Sequence, residues 1–289
     1  MQELDLLILG AGWSSTFLIP LLQERRLTFA ATTRDGRDVA GASTIKWTFD
    51  PDEKQEEDAT DTNGHNKHNQ FSSLPLAKTI LITFPLTGPN QSHTLVTGYR
   101  HAHANKLSSA SSYPHFIQFG STGIWQIEQR TLWVSRRSPY NTTNARAVAE
   151  DELLGLGGCV LNLAGLWGGE RDPATWVDRV AKSREDVKSK KSLHMIHGMD
   201  VARAVLAIAA LKEDEGGEDG WEAKGKAQRW MLTDGFVYDW WALFAGWADT
   251  ATASSTSTSS NESGDGKTDR QPSQQAQCCL LYTSPSPRD

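Results

Sequence analysis

The segment Gly10-Ala11-Gly12-Trp13-Ser14-Ser15-Thr16 follows directly on an apolar run, Leu4 to Leu9, and precedes a second one, Phe17 to Leu22. That order builds a buried strand, a tight turn and a helix. Gly10 permits the turn, and Gly12 lacks the Cβ that would hold a backbone away from a pyrophosphate. Trp13, Ser14 and Ser15 then open a helix whose first N–H groups and positive dipole end suit phosphates. The chemistry expected of this set is the holding of a dinucleotide. The third glycine of G-x-G-x-x-G is replaced by Ser15, so a plain strand-to-helix turn is the competing reading.

The next strand, Thr28 to Thr33, ends in Thr32-Thr33-Arg34-Asp35-Gly36-Arg37. An NAD-specific fold usually places an acidic residue here for the ribose 2′-hydroxyl, whereas Arg34 suits a 2′-phosphate. Thr33 and Arg34 are therefore cofactor candidates that favour NADP over NAD. Against this stands the reading of Arg34 and Arg37 as solvated loop charges. Phe84, closing a strand expected over 79–84, joins the cofactor candidates.

Along the chain, short apolar runs alternate with helical patterns. Strands are expected near 4–9, 28–33, 44–49, 79–84, 115–119, 159–163 and 229–232, and helices near 15–24, 90–106, 144–156, 199–211 and 238–247. This alternation predicts an α/β fold, a doubly wound, Rossmann-like parallel sheet with a small C-terminal substrate-side region. The expected division is a dinucleotide-binding domain over 1–211 and a small region over 212–248 that completes the fold. Residues 50–73, 212–226 and 249–277 are polar, Gly/Glu-rich or Ser/Thr-rich and read as irregular or disordered insertions.

The chain has 289 residues, 38% of them hydrophobic, and a formal charge of −6 with a pI near 5.8. Lys and Arg are scattered, which argues against nucleic-acid and membrane-surface partners and for a small-molecule substrate. No apolar run reaches membrane-span length and the start lacks a signal-peptide pattern, so a cytoplasmic location is expected. Cys159 falls inside an apolar strand, and Cys278 and Cys279 carry neither metal nor disulfide spacing. His65 with His68, and His101 with His103, have no spaced carboxylate or thiol, so no metal site is expected.

Three further segments carry a family resemblance. Phe119-Gly120-Ser121-Thr122-Gly123-Ile124-Trp125 resembles the serine-bearing strand of the extended short-chain dehydrogenase/reductase superfamily. Leu161-Asn162-Leu163-Ala164-Gly165-Leu166-Trp167-Gly168 resembles the segment after the sixth strand that lines the nicotinamide and substrate side, which makes Gly165 a cofactor candidate by resemblance. His194-Met195-Ile196-His197-Gly198-Met199-Asp200-Val201-Ala202 resembles the superfamily's I-H-V-x-D-x-A segment at the start of a late helix. With Gly10–Phe17 and Thr33-Arg34, the resemblance spans about residues 4–247 and is to the atypical, YeeZ-like, epimerase-like branch. Residues 279–289 separately resemble the translation of a sequencing adapter, so a truncated gene model is expected.

The resemblance implies a Tyr-x-x-x-Lys pair about 25 residues beyond the serine, the tyrosine moving a proton and the lysine lowering its pKa. Arg146 and Glu150 stand there instead, and a guanidinium stays charged near neutral pH. Tyr140 has no lysine one turn on and reads as a loop tyrosine, and Tyr113 is placed worse. Ser121 and Thr122 remain as catalytic candidates that position a carbonyl or amide, with turn capping as the alternative. Arg146 and Glu150 share a helix face and are read first as a solvated pair, second with Arg146 in the cleft holding a ligand's carboxylate or phosphate. Trp125 and Trp167 are read as walls of an aromatic pocket, and Trp240, Trp241 and Trp247 as core or lid. The expected function is an NADP-binding reductase or epimerase-like enzyme with a non-standard site. The alternative is an inactive, NADP-responsive interaction protein. A ketopantoate-reductase-like enzyme shares only the opening turn.

Overall fold

The computed structural model describes residues 3–53, 69–106, 114–126, 133–190, 192–209 and 220–247. His65, His68, Tyr113 and residues 249–289 lie outside them. The described residues divide into two compact units, those within 1–164 and 198–232 and those within 165–197 and 233–247.

In the first unit the strands are β1 (Leu4–Leu9), β2 (Phe29–Thr33), β3 (Ile45–Lys46), β4 (Ala77–Ile82), β5 (His115–Ser121), β6 (Cys159–Leu163) and β10 (Arg229–Leu232). They form one seven-stranded sheet in the order β10-β6-β5-β4-β1-β2-β3. Every pairing is parallel. This is the doubly wound α/β fold expected, and its strand order reverses between β1 and β4.

The apolar runs explain the sheet. Leu6 to Leu9, Ile80 to Ile82 and Cys159 to Leu161 are all 0 % exposed, as strands covered on both faces require. Helices α1 (Ser15–Glu24), α2 (Gln91–Ala102) and α3 (Ala145–Gly155) follow β1, β4 and β5. Leu7, Leu9, Ile80, Ile82, Phe116 and Val160 share one core with Leu95, Val96 and Tyr99 of α2 and with Ala149 and Leu153 of α3. The alternate positions Leu6, Ile8, Leu81 and Ile117 point to the opposite face. Helix α6 (Gly198–Ala209) packs on β5 and α1, and Gly198 leaves the space that the Phe17 ring fills.

Several boundaries differ from expectation: α2 ends at Ala102 and not 106, β5 runs on to Ser121, and Tyr238–Asp239 pair as strand ahead of the last helical stretch. Strand β4 both starts and ends two residues early, at Ala77 and Ile82, so Phe84 lies beyond it. Only Ile45–Lys46 of 44–49 pairs as strand, and within 212–226 residues Gly220–Lys224 form the helix α7.

The second unit contains β7 (Gly165–Trp167), α4 (Val177–Val180), α5 (Arg184–Ser189), β8 (Ser192–Leu193), β9 (Met195–His197), β11 (Tyr238–Asp239) and a helical stretch over 240–247. β7 pairs in parallel with β9, and β8 pairs antiparallel with β11. Trp240 and Phe244 are buried with Ala181 and Val187, and Trp176 and Trp247 pack against them. The late tryptophans thus build this unit's core. A capping box, with Ser183 and Asp186 exchanging bonds, starts α5. Among the described residues no helix is long and apolar enough to cross a membrane.

Candidate functional site

Parallel pairing brings the carboxyl ends of β1, β2, β4 and β5 to one edge of the sheet. Gly10 and Thr83 directly follow β1 and β4, and Thr33 and Ser121 close β2 and β5. Gly10 adopts φ +85°, and a Cβ added to it would stand 2.9 Å from Phe84 Cδ1 and 3.1 Å from Thr83 Oγ1. Its N–H donates to Thr32 Oγ1 at 3.0 Å, and the Ala11 N–H donates to the Thr32 carbonyl at 2.6 Å. The Thr83 hydroxyl donates to the carbonyl oxygens of Leu9 and Gly10. The turn is therefore pinned from both neighbouring strands, and Gly10 is required by backbone sign and by Phe84 together.

Gly12 is different. A Cβ there would meet only the Gly10 carbonyl, at 3.9 Å, so the side of the turn it faces is open. Helix α1 begins after Ser14 with no side-chain cap and no acidic residue in its first turn. Ser15 is buried, and its hydroxyl has no hydrogen-bond partner among the described residues. Trp13 packs edge-on against Phe17 at 5.1 Å between ring centroids. Phe84 stacks on Phe49 at 6.1 Å and faces Trp47 at 6.4 Å.

After β2, the Thr33 hydroxyl accepts from the Gly36 N–H at 2.8 Å and bonds the Thr44 hydroxyl at 2.7 Å. Asp35 accepts from Arg37 Nη1 on both oxygens, each at 3.0 Å, and from the Arg37 N–H at 3.5 Å. That pairing lowers the Asp35 carboxyl below its ordinary range through the Arg37 hydrogen bond. Arg34 is exposed and has no ion-pair partner among the described residues. The loop thus uses its own acid on Arg37 and leaves Arg34 without an ion-pair partner among the described residues.

At β5, the Ser121 hydroxyl accepts from the Gly123 N–H at 3.1 Å and caps the short 3-10 turn Thr122–Trp125. Thr122 Oγ1 donates to the Leu163 carbonyl at 3.3 Å. Both hydroxyls hold the turn. Trp125 does not wall a pocket: it is buried, donates Nε1 to the Ser138 carbonyl at 3.1 Å, and packs with Ile124, Ala147 and Tyr140.

The reading of Arg146 and Glu150 as a solvated pair is corrected. Glu150 is 0 % exposed, and its ion pair is with Arg229, Nη2 to Oε2 at 3.2 Å. Asn162 Nδ2 donates to the same oxygen at 2.8 Å and to the Ser121 carbonyl at 3.1 Å, and the Ser121 N–H reaches Oε1 at 3.4 Å. Arg229 also meets Asp151 at 2.9 Å and lies over the Tyr140 ring at 4.4 Å, while the Tyr140 hydroxyl donates to Asp151 at 2.6 Å. Sequence reasoning missed this cluster, because its members come from α3, β6, β10 and the loop before α3. Tyr140 is tied to the cluster, and burial with the Asp151 hydrogen bond raises its pKa.

Burial raises the Glu150 pKa above 4.5, against the opposing pull of Asn162 and Arg229. The folded chain then holds this proton to higher pH than the unfolded chain, so stability falls as pH rises from 4.5 through the raised value. Glu150→Gln, which cannot titrate, is expected to flatten that part of the profile. Urea midpoints across the window check this, and equal slopes in both proteins would assign the dependence to other groups.

Gly165 lies in the second unit. A Cβ on it would stand 3.1 Å from the His194 carbonyl and 3.1 Å from Trp176 Cη2, so packing within that unit requires the glycine. Trp167 meets the His197 ring edge-on at 4.7 Å, and Gly168, at φ +107°, lies against the same imidazole. His103 is buried and packs tilted against the Tyr99 ring, at 4.5 Å between centroids. Among the described residues no group of three or more His, Cys, Asp or Glu is placed to hold a metal ion.

No family model matches the sequence, and no curated protein matches it. Solved structures do match in fold. UDP-glucose 4-epimerase of Thermus thermophilus, in complex with NAD, aligns over 86% of this chain and 83% of its own at 15% identity, with a TM-score of 0.54. Vestitone reductase of alfalfa (Medicago sativa) aligns over 87% and 83% at 15% identity, with a TM-score of 0.53. A short-chain dehydrogenase/reductase superfamily protein of Agrobacterium tumefaciens with bound NAD aligns over 86% and 83% at 13% identity, with a TM-score of 0.51. At these identities the likeness is one of fold, the Rossmann-like fold of the epimerase and short-chain dehydrogenase proteins.

Proposed function

We propose that this chain binds a nicotinamide dinucleotide, NADP in preference to NAD, as a protein of the atypical extended short-chain dehydrogenase/reductase type. The observation that carries this reading is the Gly10–Gly12 turn at the point where strand order reverses, with open space beside Gly12. The residues present fit the group. Gly12 leaves room for a pyrophosphate, and the uncapped first turn of α1 supplies N–H groups toward it. Arg34, unpaired after β2, suits a 2′-phosphate, since Asp35 is already held by Arg37. Thr33 shapes that loop and Phe84 backs the turn. Two neighbours, the epimerase and the Agrobacterium protein, were solved with NAD, which supports the dinucleotide and is silent on NADP. When bound, the nicotinamide supplies hydride transfer.

A second reading, an NADP-responsive protein without chemistry, is favoured by one observation. The groups at the Tyr-x-x-x-Lys positions are Arg146 and the buried, ion-paired Glu150, while the Ser121 hydroxyl is engaged as a cap. NADPH consumption against a panel of carbonyl substrates separates the two readings. Turnover supports the enzyme, and partner binding that responds to NADP without turnover supports the second.

The cofactor test is tryptophan quenching, since Trp13 stands in the turn itself. NADPH is expected to quench saturably and NADH far more weakly. Arg34→Ala is expected to weaken NADPH by about tenfold to a hundredfold and leave NADH nearly unchanged, as loss of a charge-assisted contact predicts. An intact fold that neither dinucleotide quenches would remove the proposal.

A further inference from the structure

Helix α3 carries three carboxylates, and each is engaged elsewhere. Glu150 takes Asn162 and Arg229, and Asp151 takes Tyr140 and Arg229. Glu152 accepts the N–H groups of Asn90 and His93 at the start of α2, at 3.0 and 3.1 Å. Arg146, on the same helix, is half-buried, and among the described residues its guanidinium has no hydrogen-bond or ion-pair partner. An arginine in a helix's first turn also opposes the macrodipole, and α3 has no acidic residue in that turn to offset it. Its charge favours the buried Glu150 carboxylate at a distance, but that carboxylate already has its counter-ion in Arg229, so the cluster alone does not call for a guanidinium here.

Its position gives one. Arg146, Glu150 and Leu153 lie on one stripe of α3, and the latter two are fully buried. The Glu150 carboxylate reaches the Ser121 N–H, so Arg146 stands one turn beyond it, about 6 Å along the helix. The Asn144 cap holds this end of α3, its side chain accepting from the Arg146 N–H at 2.9 Å. That turn is next to the strand end that carries Ser121 and Thr122, on the same unit as the Gly10–Gly12 turn.

We infer that Arg146 is a specificity-determining residue that anchors an anionic oxygen group, carboxylate or phosphate, on a small-molecule substrate beside the nicotinamide. The inference rests on the dinucleotide reading above. A guanidinium in place of a proton donor selects the substrate by charge, and its planar fork suits two oxygens at once.

The test uses the full chain saturated with NADPH. Inorganic phosphate and malonate are titrated separately, read by thermal shift and by the fluorescence that Trp125 contributes beside the Ser121 turn. At least one anion is expected to stabilise the protein saturably, and the better of the two identifies the substrate's group. Arg146→Gln is expected to weaken that anion by about tenfold or more, with Arg146→Lys intermediate. NADPH affinity should change less than twofold in either variant, and unliganded melting should fall only slightly in Arg146→Gln, which loses a distant pull on Glu150 but no hydrogen bond or ion pair. Equal anion binding by the glutamine variant, or no saturable effect of either anion while NADPH still quenches, overturns the inference and leaves the cofactor reading standing. A tenfold loss of NADPH affinity in Arg146→Gln also overturns it, since Arg146 would then serve the cofactor. If NADPH does not bind the parent chain, both fall together.

Discussion

Arg229→Met is expected to cost about 3–5 kcal/mol of stability near neutral pH, because it leaves Glu150 buried without its counter-ion. Methionine keeps much of the volume, so the loss reports charge rather than a cavity. Part of it comes from the Asp151 pair and from the guanidinium over Tyr140, but Asp151 is partly exposed and water replaces much of what it loses. The fully buried carboxylate dominates. Its pKa, already raised by burial, must climb further in the variant, since the Arg229 attraction that opposed the shift is gone. The destabilisation should therefore shrink on acidification, as Glu150 becomes protonated in parent and variant alike. Urea unfolding of both proteins at several pH values measures this. The double variant Glu150→Gln with Arg229→Met is expected to recover a large share of the loss. A penalty independent of pH, or no recovery in the double variant, would assign the effect to packing.

Gly120→Ala is the second substitution with a large expected effect, about 3 kcal/mol or more. Gly120 needs no unusual backbone angle. Its constraint is space, because an added Cβ would overlap Glu150 Oε1 and Asn162 Nδ2. Neither atom can move freely, since the carboxylate is bonded to Arg229 and the amide bridges it to the Ser121 carbonyl. Overpacking alone costs about 1–3 kcal/mol, and displacing a hydrogen-bonded buried carboxylate adds to that. Gly12→Ala is the informative control. It has open space and should leave stability nearly unchanged while weakening NADPH, on the cofactor reading. A Gly120→Ala protein that unfolds at the parent's urea midpoint would mean that β5 and α3 can separate at little cost.

Much of the first unit was legible before the structure. β1, β6 and β10 fall where their apolar runs are, and α1 runs from Ser15 to Glu24 as its periodicity predicts. Such elements are written locally, in runs that must be buried on both faces. Strand β4 was displaced because Thr83 and Phe84 extend the apolar pattern, although their side chains serve the Gly10 turn instead of the sheet. The second unit was mostly illegible, since β7, β8, β9 and β11 have only two or three residues each and leave no period to detect. The Gly10 turn and the exposed place of Arg34 after β2 could be picked out because turn chemistry and charge are local signals. The Glu150 cluster could not. Spacing put Arg146 opposite Glu150, yet the true partner arrives from β10, and no local pattern connects residues so far apart in the chain. The buried flanks Ala147, Ala149 and Leu153 were the only hint that α3 turns Glu150 inward.

The placement of β10 bears on the order in which the chain is made. β6 emerges from the ribosome well before its neighbour, and all of residues 165–197 and α6 must follow before Arg229 appears. At ordinary synthesis rates of about 5–20 residues per second, that interval is on the order of several seconds. Throughout it β6 is an open sheet edge, and the carboxylate beneath Gly120 awaits its cation. A nascent six-stranded sheet would thus be least protected at the flank where it carries a costly buried group, whose counter-ion arrives only with β10.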